Sequence, residues 1–370
     1  MEKPVLQIAV VVVAVATIAL ALYLLLPLFS PGSTQQSIVI NGAGATFPAP
    51  QVLEWAKRFS METGITVEYN PVGSGAGRAM LFNKTVLFAF SDPPLERDLY
   101  LEYQGKILQI PVVIGAIAIS YNIPELPKNI HLNLTGELLA LIYKGEISKW
   151  SDERIKRVNP EVASLLPDKD IVVVHRTDSS GTTRIFTGYL HKVAPSIWGS
   201  DLVGFTVDWP VDKLGRGLGG KGNEGVAQLI QQTPYSIGYV ETGYALAVNM
   251  PIAKLMNRDG YYTLPTRESV LSALENAVSK LPDSPLDDFS MDLDVALDAP
   301  GSNSYPIAAF SHMVLYAKYD DPLVAKALAD FIRFIVTKGQ QYLLPGYYPL
   351  PDRIVSLGLK AAEILEKTGG

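Results

Sequence analysis

The sequence predicts an α/β fold, in which short apolar strands alternate with amphipathic helices. Several of these strands run directly into turns of glycine and small hydroxyl residues, where helices begin. The 370 residues suffice for two domains of ordinary size or for one large divided domain. Hydrophobic residues make up 48% and charged residues 18% of the chain, as in a folded protein. A long apolar segment near the N-terminus predicts one transmembrane helix ahead of the α/β unit.

Composition and charge exclude several kinds of site. The net charge of −6 argues against a nucleic-acid partner, because such partners are held by cationic contacts to phosphates. The chain has no cysteine, which excludes disulfides, thiolate metal sites, cysteine nucleophiles and a lipid anchor through cysteine. Its four histidines are not paired at ligand spacing, so a zinc site is not expected. We expect no cofactor and no other metal.

Residues 5–28 are predicted to form an uncleaved transmembrane signal anchor, because this stretch is almost entirely apolar and long enough to cross a bilayer. Lys3 precedes it and the next basic residue is Lys57, so the positive-inside rule leaves the N-terminus in the cytoplasm. The folded part is therefore expected on the extracytoplasmic side of the cell membrane. A cleavable signal peptide is the alternative, although no small-x-small cleavage motif lies near Ser30. Residues 29–37 are polar and predict a linker.

The folded part is predicted to begin with the strand Ile38–Ile40, which ends in a glycine-containing turn with Thr46. The helix after this turn has apolar residues at i, i+3, i+4 and i+7, namely Val52, Trp55, Ala56 and Phe59. The turn has only two of the three glycines of a dinucleotide-binding loop, so that function is not favoured.

Two further strands lead into turns with polar residues. The strand at 65–69 precedes a glycine-rich turn with Ser74, where Val72 replaces the glycine that a nucleophile elbow requires. The strand at 87–90 ends close to Asp92, at the kind of position where open α/β sheets bind ligands. A simple turn-forming aspartate before proline is the alternative for Asp92.

The stretch His175–Thr183 follows the apolar strand at 171–174 and precedes a helix. The unpaired N–H groups of that helix's first turn and the positive end of its dipole predict an anion site. Ser180 and Thr182 add hydroxyl donors, and Gly181 allows a ligand to approach the backbone. An ordinary helix capped by small polar residues is the alternative.

Two charged side chains define the expected ligand further. Arg176 offers a planar fork of donors, which Asp178 can hold in place. Together, the polar turns suggest a crevice for a small oxyanion. Asp92 can only accept hydrogen bonds when ionised, so it indicates an anion that carries its own proton. Phosphate near neutral pH has such a proton and sulfate does not. We therefore expect the free energy of binding to be less favourable for sulfate than for phosphate, by on the order of several kcal/mol.

The other elements are predicted from apolar runs and stripes. Apolar β-rich runs at 107–120, interrupted by Pro111 and Gly115, and at 307–316 are candidates for crossings between two parts of the fold. The glycine-rich stretch 215–222 lacks the serine or threonine of a P-loop and predicts a flexible loop beside a ligand cleft. A further strand is expected at 236–240, and helices are expected at 135–143, 223–232 (capped by Asn223), 266–280, 323–342 and 353–367.

Six sequence segments, which occur in the same order along the chain as in a known family, carry a resemblance that covers residues 38–370. They are Gly42–Pro50, Gly73–Ser74, Ser91–Leu95, Arg176–Thr182, Leu218–Asn223 and Ile237–Glu241. In these segments the chain resembles the extracytoplasmic phosphate-binding proteins of the phosphate ABC transporter, the PstS family. The resemblance implies a two-lobed periplasmic binding protein fold of type II, a Venus flytrap. Lobe 1 would comprise residues 38–119 and 304–370, and lobe 2 residues 120–303.

The same resemblance implies a phosphate site between the lobes. Its residues would be Thr46, Phe47, Ser74, Asp92, Arg176, Ser180, Gly181 and Thr182, with Asp178 orienting the arginine. The implied partners are inorganic phosphate and the transmembrane subunits of an ABC permease with their ATPase. No catalytic role is expected. The alternatives are a receptor for another oxyanion, such as sulfate or molybdate, and a phosphate-ester hydrolase. The chain departs from the family pattern at two positions, with His175 in place of a second basic residue and Thr183 in place of a serine.

Overall fold

Two β-sheets form the framework of the molecule in the computed structural model, which describes residues 38–368. The strands are β1 (Val39–Gly44), β2 (Thr66–Asn70), β3 (Phe88–Ser91), β4 (Ile107–Asn122), β5 (Asn133–Leu134), β6 (Val172–Arg176), β7 (Gly217–Gly220), β8 (Ser236–Glu241), β9 (Lys254–Met256), β10 (Tyr262–Thr263) and β11 (Ala308–Tyr316). The larger sheet has the order β2-β1-β3-β11-β4-β8-β6-β7, and the smaller one has the order β10-β9-β5. The mixed α/β class is confirmed.

Helices cover both sheets and connect their strands. They are α1 (Ala49–Thr63), α2 (Ser74–Phe82), α3 (Arg97–Glu102), α4 (Gly136–Lys144), α5 (Glu153–Val158), α6 (Gly181–Val193), α7 (Pro210–Lys213), α8 (Gly222–Gln232), α9 (Thr242–Ala247), α10 (Arg267–Lys280), α11 (Asp292–Ala296), α12 (Pro322–Val336) and α13 (Asp352–Thr368). Short 3-10 helices lie at Ala163–Leu165, Ser200–Leu202 and Lys338–Tyr342.

Strand β4 joins the two halves of the larger sheet. Its residues 107–116 pair antiparallel with β11, whereas residues 117–122 pair antiparallel with β8. The strand continues through Pro111 and Gly115 for 16 residues, nearly all of them buried, as expected for a strand covered on both faces. The half with β2, β1, β3 and β11 and the half with β8, β6 and β7 form the two lobes of the fold.

Side chains satisfy the β4 carbonyl groups at the point where the pairing changes. The Thr242 hydroxyl donates to the Ala116 carbonyl at 2.9 Å, and the Tyr305 hydroxyl donates to the Ile117 carbonyl at 2.8 Å. Both donors are fully buried. The junction is therefore held by hydroxyl groups on α9 and on the chain just before β11.

Helix α1 is fixed by the apolar stripe predicted from the sequence. Val52 and Trp55 are fully buried, and the ring of Phe59 lies 5.2 Å from the ring of Phe331 in α12. Burial of side chains of this size stabilises a fold by about 1.5–3 kcal/mol each. Because α1 begins directly after the first polar turn, this packing also fixes the position of the turn.

Two predicted elements differ from the structure. Residues 217–220, expected in a flexible loop, form the edge strand β7, which pairs parallel with β6 through its backbone and needs no large side chains. The helix expected over 323–342 ends at Val336, where Thr337 leaves the helical region (φ −120°, ψ −94°) and a 3-10 helix follows. The predicted anchor at 5–28 lies outside the described residues. Within 38–368, no helix is both long and apolar enough to span a bilayer.

Candidate functional site

The four predicted polar turns follow the carboxyl ends of β1, β2, β3 and β6. Strands β1, β2 and β3 run parallel, so their turns lie at one edge of the first half-sheet. The turn after β6 belongs to the other lobe. The residues that these turns contribute to the site are almost completely buried: Thr46, Phe47, Ser74, Asp92, Arg176, Ser180, Gly181 and Thr182.

Asp92 is a carboxylate in a dry environment, with 1% of its surface exposed. The Ser311 hydroxyl donates to its Oδ1 at 2.8 Å, whereas its buried Oδ2 has no hydrogen-bond partner among the described residues. Burial raises the pKa of Asp92 to about 7, although the Ser311 hydrogen bond and the charges of Arg176 and Arg78 act in the opposite direction. The unpartnered Oδ2 is therefore free to accept a hydrogen bond from a ligand.

Arg176 is held in one orientation by its neighbours. Its Nε donates to Asp178 Oδ1 at 2.7 Å, its Nη2 donates to Asp178 Oδ2, and its Nη1 lies 3.3 Å from the Thr182 hydroxyl. The Gly222 N–H also donates to Asp178 at 3.0 Å. Burial alone would raise the pKa of Asp178, but the hydrogen bonds and charge of Arg176 outweigh it and hold that pKa below its usual value. The structure thus brings this charge pair together as the sequence predicts.

Backbone donors gather around these side chains. In the part of the chain that the structure describes, several N–H groups of the turns have no protein acceptor. Among them are those of Thr46, Phe47, Ser74, Gly181 and Thr182. Ser180 caps α6, because its hydroxyl oxygen accepts from the Thr183 N–H at 3.1 Å, and its hydroxyl hydrogen remains available. The helix start after β6 therefore has the donors expected of an anion site.

The two lobes touch at Gly181. A Cβ atom at this position would lie 1.5 Å from the Asp92 carbonyl oxygen and 2.5 Å from both Asp92 Oδ2 and Ser74 Oγ. The Ser74 hydroxyl in turn accepts from the Asp92 N–H at 3.3 Å. Only glycine permits this approach, so the arrangement brings the turns after β2, β3 and β6 together.

Two supporting residues were missed or misread in the sequence. Ser311 carried no local signal, because its role depends on the pairing of β11 with β3. Asn223 was predicted to cap a helix, which is wrong: it lies inside α8, and Lys221 is the N-cap. Its side chain instead contacts Thr46 at 3.0 Å and Thr182 at 3.1 Å. The only sign in the sequence was that Asn223 ends the segment Leu218–Asn223, one of those that carry the resemblance to the PstS family.

The two departures from the family pattern have other contacts. His175 Nε2 lies 2.7 Å from Asp212 Oδ1, and the ring stacks on Trp209. The Thr183 hydroxyl lies 2.7 Å from the Tyr239 hydroxyl. His175 Nδ1 also lies 3.1 Å from the Arg176 carbonyl oxygen, but neither His175 nor Thr183 hydrogen-bonds to the side chain of Asp92 or Arg176. Among residues 38–368, no group of acidic and histidine side chains is suited to hold a metal ion.

Comparison with known proteins assigns the family. The chain matches the model of the PBP superfamily domain over residues 31–338. It is 38% identical over 342 residues to the phosphate-binding protein PstS of Methanocaldococcus jannaschii, covering 90% of this chain and 87% of that protein. It is also 38% identical over 323 residues to PstS of Haemophilus influenzae, covering 87% and 91%. Among solved structures, the high affinity periplasmic phosphate-binding protein PfluDING, bound with phosphate, has a TM-score of 0.66 at 21% identity, covering 86% and 92%, which supports the fold. The chain belongs to the PBP superfamily and, within it, to the PstS family of phosphate-binding proteins.

Proposed function

We propose that this chain is a substrate-binding receptor that captures inorganic phosphate between its lobes and delivers it to an ABC permease for import. One observation carries the proposal: Asp92 Oδ2 is buried and unpartnered and feels the charge of Arg176, while N–H groups of the turns that build the same site have no acceptors. An anion that accepts many hydrogen bonds and donates one satisfies this arrangement. Phosphate near neutral pH is such an anion, and the relatives named above are phosphate-binding proteins.

Each predicted residue has a role in this proposal. Arg176 pairs with the anion while Asp178 holds the guanidinium group, and Asp92 accepts the phosphate proton. The remaining residues donate through backbone N–H or hydroxyl groups: Thr46, Phe47, Ser74, Ser180, Gly181 and Thr182. The hydrogen bonds of Ser74 and Ser180 involve no histidine in the described part of the chain, so neither serine has the base that a nucleophile needs. We therefore assign no catalytic role.

The proposal extends to the lobes and the membrane. We place lobe 1 at residues 38–119 and 304–370 and lobe 2 at residues 120–303, which is supported by the change of partner along β4 after Ala116. Residues 5–28 anchor the receptor and residues 29–37 link the anchor to the lobes on the extracytoplasmic side. There the transmembrane subunits of the permease, driven by their ATPase, receive the phosphate.

Calorimetric titration of the purified full-length chain with phosphate, sulfate and molybdate tests the function. We expect tight binding of phosphate and much weaker binding of the other two anions, because neither can give a proton to Asp92. Preferred binding of sulfate or molybdate would contradict the proposal. Incubation with a chromogenic phosphate ester tests the enzyme alternative, and we expect no turnover.

A further inference from the structure

Asn223 occupies a central position between the two threonines of the site, and it is fully buried. Its backbone N–H and its Nδ2 both donate to the Thr46 hydroxyl oxygen, at 3.2 and 3.0 Å. Its Nδ2 also donates to the Thr182 hydroxyl oxygen at 3.1 Å. One amide group therefore contacts hydroxyl groups that come from the turns after β1 and β6.

These contacts determine what each hydroxyl group can do. A hydroxyl oxygen has two lone pairs and one hydrogen. Two donors already occupy the Thr46 oxygen, and two donors, Asn223 Nδ2 and Arg176 Nη1, occupy the Thr182 oxygen. Neither hydroxyl hydrogen has an acceptor among residues 38–368. Thr187, by contrast, donates its hydroxyl hydrogen to a carbonyl of its own helix at 2.8 Å.

The orientation of the Asn223 amide is fixed independently of the threonines. Its Oδ1 accepts from the Glu241 N–H at 2.9 Å, so Nδ2 must face Thr46 and Thr182. The Glu241 N–H belongs to β8, next to the crossing strand β4. The direction of both threonine hydroxyls is thus set by the backbone of the central sheet.

We infer that Asn223 is a positioning and specificity-determining residue, which commits the hydroxyl groups of Thr46 and Thr182 to donate to the bound oxyanion. The inference rests on the proposed phosphate site. Asn223 fills both acceptor positions of the Thr46 hydroxyl group and, together with Arg176, those of the Thr182 hydroxyl group, so only the two hydroxyl hydrogens remain for the ligand. An anion with several acceptor oxygens benefits from this arrangement, whereas a neutral ligand that must donate to the same hydroxyl groups is rejected.

A mutant cycle on the full-length chain, with phosphate as the probe, tests this role. Asn223→Ala removes the amide, and we expect the Kd for phosphate to rise about tenfold in the wild-type background. In a Thr46→Val/Thr182→Val background, which has no hydroxyl groups to direct, the same change should alter the Kd less than about twofold. Asn223→Asp keeps the shape but offers only acceptors to the hydroxyl groups, so we expect a loss of about a hundredfold or more.

Asn159 provides a matched control, because it is also a buried asparagine with a similar bonding pattern. Its Oδ1 accepts from the Asn133 N–H and its Nδ2 donates to the carbonyl groups of Asn133 and Ile155, outside the cleft. Asn159→Ala should leave the Kd for phosphate unchanged. If Asn223→Ala weakens binding equally in both backgrounds, or if Asn223→Asp binds like the wild type, the inference is wrong. A wild-type chain that does not bind phosphate would instead overturn the proposed function.

Discussion

Replacing Asp92 by asparagine tests whether the site selects its ligand through a buried proton acceptor. The substitution keeps the side-chain shape and an Oδ1 that can accept from Ser311. It replaces the unpartnered Oδ2 by an NH2 group, which donates where the carboxylate accepts. A sulfate oxygen then meets a donor, so we expect the preference for phosphate over sulfate to fall by about a hundredfold.

The pKa of Asp92 sets the magnitude of a second effect, on stability. Burial raises this pKa from 3.8 to about 7. A difference of roughly three pKa units means that the folded state disfavours the ionised form of Asp92 by about 4 kcal/mol relative to the unfolded state. Because the folded-state pKa is above the unfolded one, the wild type loses this free energy of unfolding as the pH rises from about 4 to about 7. Asparagine does not ionise, but its buried NH2 group costs about 1–3 kcal/mol when unpaired.

Two measurements on the ligand-free and the ligand-bound protein check this reasoning. Urea unfolding at about pH 5 and about pH 8 should show a smaller loss of stability with pH for Asp92→Asn than for the wild type. Calorimetry with phosphate and sulfate should show the lower selectivity. If selectivity and the pH dependence of stability are both unchanged, Asp92 is not the proton acceptor of a buried site.

Three other substitutions probe separate parts of the site. Gly181→Ala places a methyl group against Asp92, so we expect phosphate affinity to fall by at least about a hundredfold. Solution scattering should show that phosphate no longer makes the variant more compact. Unaltered affinity would contradict the contact between the lobes. Arg176→Lys removes the planar guanidinium group that Asp178 holds, and we expect calorimetry to show a phosphate affinity at least about tenfold lower. An unchanged Kd would mean that the guanidinium group does not bind the anion. Ser311→Ala removes a hydrogen bond that lowers the pKa of Asp92. Binding titrations at several pH values should therefore show that the variant begins to reject sulfate at a higher pH than the wild type. If both proteins begin to reject sulfate at the same pH, Ser311 does not have this role.

Local patterns were sufficient to predict the parts of the site that one stretch of chain builds. The pairing of Arg176 with Asp178 spans two residues, and the start of a helix directly after this turn follows from the apolar strand and the small polar residues that precede it. The apolar stripe that includes Trp55 placed α1 correctly. In each case the interacting groups are neighbours in sequence, so residue type and spacing determine the contact.

Contacts that depend on distant pairing could not be predicted in this way. Ser311 donates to Asp92 across 219 positions, through the register of β11 against β3, and no local pattern specifies that register. Asn223 reaches Thr46 across 177 positions, and its residue type suggested a helix cap instead. Residues 217–220 form a strand because a neighbouring strand pairs with their backbone, although their glycines alone indicate a loop.

The continuous strand β4 has a mechanical consequence for the closure of the cleft. Its two segments pair with different strands, so we expect any relative rotation of the lobes to change the backbone of β4 most at the peptide units of Ala116 and Ile117. The carbonyl groups there are bonded by the rotatable hydroxyl groups of Thr242 and Tyr305, which can follow a twisting oxygen further than a rigid backbone N–H can. We therefore expect the two carbonyl groups at this junction to keep their hydrogen bonds when the strand twists there.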